Sequence, residues 1–197
     1  MAVAMDATEI FSRCLAQATF VVKQVLPSHY ANPTPDADLD VEDLTSHMLA
    51  VIDNAPAMLS EEAEIGSAIS DGNIDHDAID LSARWQMAAD RAELAVSDAD
   101  PDETIAYNKS EVTVEDYLLE AAGDLLIHAW DLGEAIGMPV RFDPNVAEAI
   151  IETVGPSEAS AVSRDLFDRQ IEVPANADLQ TRLLAIFGRT RSWRGSA

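Results

Sequence analysis

Hydrophobic positions recur at a helical period through most of the chain. Ile10, Cys14, Ala18, Val21 and Val25 predict a first helix over about 7–26, with Asp6 and Glu9 at N-cap and N3 spacing and Pro27 as its stop. A Pro- and Asp-rich loop covers 27–39. Leu44, His47, Met48, Val51 and Ile52 define a second helix that starts after Asp40, and Pro56 is expected to kink it or end its regular part. Residues 61–76 hold Gly66, Gly72 and Asn73 and read as a crossover loop. A third helix is predicted over about 77–97, with Ile79, Trp85, Met87 and Leu94 among its apolar positions. The polar stretch 98–112 has room for a short extended piece.

The clearest helix starts at the cap Thr113, with Asp116 three residues on, and runs to Ile136. Gly137 and Pro139 then stop it. A shorter helix is predicted over 145–154 and a last one over about 178–187. Ile171, Glu172 and Val173 form the best strand-like stretch. Four long helices with one long crossover predict an all-α fold, a four-helix bundle. The expectation is a single domain spanning 1–197, its bundle core at about 6–137 and a small helical appendage at about 138–197.

Composition narrows the partners. The chain has 197 residues, enough to bury a core without disulfides, and its one cysteine, Cys14, cannot form an internal one. Its 36 acidic residues against 12 basic ones leave a net charge of −24, which repels nucleic acid and anionic membranes. No apolar run is long enough to span a membrane, and the first residues show no basic n-region or apolar h-region of a secretory leader. A cytoplasmic setting is therefore expected, with no nucleic-acid or membrane partner, and exposed bundle faces leave room for a homodimer.

The candidate chemistry lies on the fourth predicted helix. Asp124 and His128 are four residues apart, so they stand one above the other on one face, among Leu125, Leu126, Ile127 and Trp130. Either they satisfy each other in the core, or together they hold a metal ion. Of the four histidines, only His47 also sits inside an amphipathic helix. With His47 from a neighbouring helix, Asp124 and His128 make a three-ligand set with an open fourth position, the pattern of a catalytic divalent metal site. Asp43 lies at N3 of its helix, where a carboxylate meets free N–H groups, and is left out of the ligand set. Asp131 shares the His128 face and reads as a salt-bridge partner for an arginine or as a carboxylate behind His128.

Other chemistries lack their residues. No Gly-rich loop follows a strand, no cysteine pair exists, and no Gly-x-Ser-x-Gly elbow is present. Cys14 falls on an apolar helix face and reads as core. A dinuclear bundle site uses Glu-x-x-His at i, i+3, whereas both pairs here are Asp and His at i, i+4.

The run from Asp124 through His128, Trp130, Asp131 and Leu132 to Gly137, Pro139 and Val140 resembles the signature helix of the DinB-like metal-binding proteins, in the branch related to mycothiol-dependent maleylpyruvate isomerase. Thr34-Pro35, followed by Asp40 to His47, is similar to that family's Thr-Pro step and His-bearing second helix. Val173-Pro174, Arg182-Leu183-Leu184, Phe187-Gly188-Arg189 and Trp193 resemble the ending common in that branch. Two positions depart from the pattern. Asp124 stands where relatives carry Glu, and the Cys and Trp that often follow Thr-Pro are missing.

The resemblance implies a four-helix bundle with a mononuclear zinc or nickel site held by His47, Asp124 and His128. It implies a thiol-dependent transferase or isomerase, with mycothiol as the thiol and a small electrophile as the second substrate. Arg84, Arg91 and Arg141 are candidate anion contacts, with a surface salt bridge as the competing reading of each. The competing class is a non-catalytic metal-binding or structural bundle.

Overall fold

The computed structural model describes residues 5–60, 81–107, 110–154 and 171–193. Within them the fold is all-α, with one small hairpin. The helices are α1 (Ala7–Val22), α2 (Val41–Met58), α3 (Leu81–Asp98), α4 (Val114–Ala135), α5 (Pro144–Val154) and α6 (Leu179–Ile186). A short 3₁₀ turn spans Pro27–His29. The predicted crossover at 61–76 and the start of the third predicted helix lie outside the described residues.

Four of the helices begin where a short polar side chain satisfies a free N–H. Asp6 accepts from Glu9 N, Asp40 from Asp43 N, Thr113 from Asp116 N and Asp178 from Thr181 N, at 2.8 to 3.1 Å. The ends of α4 and α6 share one device. Gly137 and Gly188 take φ of 73° and 72°, a conformation that costs glycine little. In both, the next N–H group folds back onto the last turn: Met138 N reaches Gly133 O at 2.7 Å, and Arg189 N reaches Leu184 O at 2.8 Å.

Helices α1 to α4 form the bundle, with α1 against α4 and α3, and α2 against α3 and α4. Phe11, Leu44, Met48, Ile52, Trp85, Leu118, Leu125, Leu126, Ile127 and Trp130 fill its core. α4 is buried nearly all round, because α5 covers the side that the bundle leaves open. α5 also packs on α6. At Gly133 a Cβ would sit 2.6 Å from Met138 O and closer still to Val140, so only glycine lets the chain turn back this tightly.

Several local expectations are corrected. α1 ends at Val22 rather than Leu26, because 23–26 tighten into i→i+3 bonds such as Gln24 N to Val21 O at 2.8 Å. Of the two readings of Pro56, an end to the helix is overturned: α2 continues past it to Met58, since burial of Ala55 and Met58 holds the last turn. On α3, Met87 and Leu94 are 56% and 65% exposed, and the core face is Trp85, Ala88, Ala89, Ala92 and Val96. Small alanines there let α3 pack closely. The extended piece expected in 98–112 is an antiparallel hairpin, β1 (Thr104–Tyr107) with β2 (Ser110–Thr113), set against α2 and α4. Residues 171–173 form no strand. Ile171 N instead caps the end of α6 through Ala185 O at 2.9 Å.

Candidate metal centre

α4 carries most of the site because its polar residues fall on one row. Glu120, Asp124 and His128 follow at four-residue steps, and Asp131 comes three residues later. α2 packs against this row and brings His47 to it. His128 Nε2 lies 3.1 Å from Asp124 Oδ1, and His47 Nε2 lies 3.5 Å from Asp124 Oδ2. The imidazole rings meet edge to face, with centroids 5.1 Å apart. One ligating atom from each of the three residues fits within 4.8 Å of the others. Donors 2.0–2.2 Å from a tetrahedral ion stand about 3.3 Å apart, so the spacings on either side of Asp124 suit a single small cation.

The donor chemistry passes the same test. Asp124 Oδ2 is buried and makes no hydrogen bond, although His47 Nε2 is 3.5 Å away; Oδ1 is the oxygen that faces His128. Buried polar atoms almost always have a partner, and a bound cation would supply one. His128 is only 9% exposed at its side chain, against 38% for His47 and 34% for Asp124, so the centre is reached from solvent on the His47 side. Two imidazoles and one carboxylate suit zinc, nickel and similar divalent ions.

Burial opposes charge at both α4 groups, and their neighbours outweigh it. Burial acts to raise the Asp124 carboxyl, but His128 and His47 hold it below the usual carboxylate range. Burial acts to lower His128, but Asp124 and Asp131 push it up to about 10. Without an ion, His128 is thus a cation held between two carboxylates.

Behind His128 stands a second cluster. Asp131 is fully buried, and its Oδ2 lies 3.1 Å from His128 Nδ1. It also pairs with Arg189, so both readings of Asp131 hold at once. Asp36, His128 and Asp131 form another group with ligating atoms within 4.8 Å. There the cation between the carboxylates is the Arg189 guanidinium, which reaches Asp36 Oδ2 at 2.6 Å and Asp131 Oδ2 at 2.9 Å.

Glu120 and Tyr107 escape a search for ligand pairs. The Tyr107 hydroxyl, from β1, donates to Glu120 Oε1 at 3.0 Å. Burial pushes Glu120 up to about 7, and the charge of Asp124 adds to this, while the Tyr107 hydrogen bond opposes it. The four-residue step from Glu120 to Asp124 was the available sequence signal. No such signal existed for Asp36 and Arg189, which meet across 153 residues.

Of the other residues singled out, Asp43 is exposed and is not grouped with His47, Asp124 and His128. Cys14 is buried, and burial pushes its thiol up to about 12, as befits a core residue. Arg91 pairs with Asp53. Arg141 lines an open cavity of about 530 Å³ beside Arg191, on the α5–α6 side. No described helix is long and apolar enough to cross a membrane.

No curated protein and no solved structure matches the chain. Residues 12–133, from α1 to the end of the polar row on α4, match the family described as mycothiol maleylpyruvate isomerase N-terminal domain. His47, Asp124 and His128 all lie inside that span, which covers well over half of the chain, and the protein therefore belongs to this DinB-like family.

Proposed function

We propose that this protein holds one divalent metal ion through His47 Nε2, the Asp124 carboxylate and His128 Nε2, and that it is a thiol-dependent transferase or isomerase. The observation that carries the reading is the Asp124 carboxylate set between two imidazole nitrogens, with its buried Oδ2 making no hydrogen bond. The ion, zinc or nickel, would lower the pKa of a thiol or water placed in its open position. Membership of a mycothiol-related family supports a small thiol of the mycothiol type as that group, with a small electrophile as its partner.

The chain's own residues divide the remaining work. Asp131 Oδ2 holds His128 through Nδ1 and leaves Nε2 facing the centre. Glu120 lies one turn before Asp124 on the same face and is raised to about 7, so near neutral pH its ionised form is the group set to take the proton that the thiol or water gives up. Tyr107 fixes one Glu120 oxygen and leaves the other free for that transfer.

The test is metal analysis of the purified protein beside His47→Ala and His128→Ala. Near-stoichiometric zinc or nickel in the wild type, lost in both variants, supports the site. Trace metal that is unchanged in the variants overturns it. A conjugation assay with small thiols and several electrophiles then tests the enzyme reading. Bound metal with no turnover for any thiol would favour a non-catalytic metal-binding protein.

A further inference from the structure

The three sequence stretches that resemble the family meet at one point, and the metal ligands do not explain why. Thr34 and Asp36 come from the loop before α2, Asp131 from α4, and Arg189 from the turn after α6. The Thr34 hydroxyl reaches Asp36 O at 2.9 Å and Leu39 O at 2.7 Å, which sets the course of the loop. Gly188, at positive φ, turns the chain after α6 so that Arg189 points back at α4. Phe187 closes over Gly123, next to Asp124, where a Cβ would come within 3.3 Å of its ring.

We propose that Arg189 is a positioning residue of the metal centre, contributed from beyond the matched residues 12–133, and that it orients His128 through Asp131. This rests on the metal reading above. The guanidinium grips Asp131 as a fork, with Nε 3.2 Å from Oδ1 and Nη2 2.9 Å from Oδ2. A carboxylate held at both oxygens cannot rotate. Its Oδ2 therefore stays aimed at His128 Nδ1, 3.1 Å away, and the ring cannot swing Nε2 away from Asp124. Arg189 is itself held by Asp36 Oδ2 and by Phe187 O, the latter at 3.1 Å, and it is only 8% exposed at its side chain. A plain ion pair docking the C-terminal segment would not need to share Asp131 Oδ2 with a ligand imidazole. The C-terminal segment thus completes a centre whose ligands all lie in the bundle.

The experiment uses the full chain and zinc alone as the probe. Zinc affinity is measured by competition with a chromophoric chelator for wild type, Arg189→Lys, Arg189→Met and Asp36→Asn. Imidazole ¹⁵N spectra of the zinc-loaded proteins and thermal denaturation accompany it. Arg189→Met is expected to weaken zinc about 10- to 100-fold and to shift the His128 Nδ1 signal. Arg189→Lys keeps the charge but loses the fork, and it is expected to fall between wild type and Arg189→Met, with the same signal displaced. This variant carries the test if Arg189→Met does not fold. Asp36→Asn spares the fork and is expected to lower stability while leaving zinc affinity within about threefold, well short of the change expected at Arg189. If Arg189→Lys and any folded Arg189→Met bind zinc like wild type, with unchanged His128 signals, Arg189 is structural only and the proposal fails. If wild type itself binds no zinc, the metal reading fails and this one falls with it.

Discussion

The Tyr107 hydroxyl donates a 3.0 Å hydrogen bond to Glu120 Oε1, joining the β-hairpin to α4 one turn before Asp124. Glu120 therefore stays buried beside like charge, and its pKa rises from 4.5 to about 7, mainly through burial. Between those two values the unfolded chain has lost the proton that the folded chain keeps, so this group's contribution to stability falls as pH rises and is flat above about 7. Glu120→Gln is expected to stabilise the protein by about 1–2 kcal/mol at pH 8, after allowance for partial exposure, and by much less at pH 4.5. Urea denaturation at the two pH values checks this. An equal effect at both would show that Glu120 titrates normally.

The Asp124–His128 pair has the opposite dependence on its two sides. His128 is raised from 6.5 to about 10, after its carboxylates outweigh burial, so its stabilising effect is complete below 6.5 and fades as pH rises toward 10. Asp124 is lowered from 3.8 once its imidazole neighbours outweigh burial, so its effect is complete above 3.8 and lost in stronger acid. The stability gap between metal-free wild type and Asp124→Asn should be widest between about pH 4 and 6.5. A metal held at His128 Nε2, as proposed, would also displace a proton. Calorimetry in buffers of different ionisation enthalpy should then show proton release on zinc addition at pH 7, and none would mean that His128 is already neutral.

Gly133 lets residues 138–140 fold back against α4. Gly133→Ala places a methyl into Met138 O and Val140, and the backbone has little room to yield. The expected loss is about 1–3 kcal/mol, read as a fall in Tm. Gly137 has open space around its Cβ position, so Gly137→Ala is expected to cost only the left-handed conformation, about 1 kcal/mol.

Thr34 is only 4% exposed, and its hydroxyl bonds two loop carbonyls. Thr34→Val keeps the shape and removes the donor. About 1–2 kcal/mol of stability should be lost, and zinc affinity should drop less than in Arg189→Met, because Asp131 keeps its fork. An affinity as low as that of Arg189→Met would mean that the loop, not the guanidinium, positions the centre.

Much of this protein is local, and local features are legible in a sequence. Helix periodicity, the side-chain caps Asp6, Asp40, Thr113 and Asp178, and the Gly137 stop each depend on residues within a turn or two. The Asp124–His128 step is of the same kind, because helix geometry alone stacks residues four apart. Periodicity was weaker on α3, where Met87 and Leu94 keep the helical spacing yet face outward, since alanines suffice for close packing. The strand reading failed at Ile171, Glu172 and Val173, where the β-branched Ile171 and Val173 meet no neighbouring strand among the described residues.

By itself, the sequence determined the helices and placed an aspartate and a histidine on one face of α4. Only the tertiary structure decided that His47 faces them, that Asp124 Oδ2 is left buried without a hydrogen bond, and that Arg189 and Asp36 close on Asp131. The reason is physical. Spacing along a helix follows from its pitch, whereas a contact between Asp36 and Arg189 depends on how the loop before α2 and the turn after α6 pack against α4, and no short window of residues contains that.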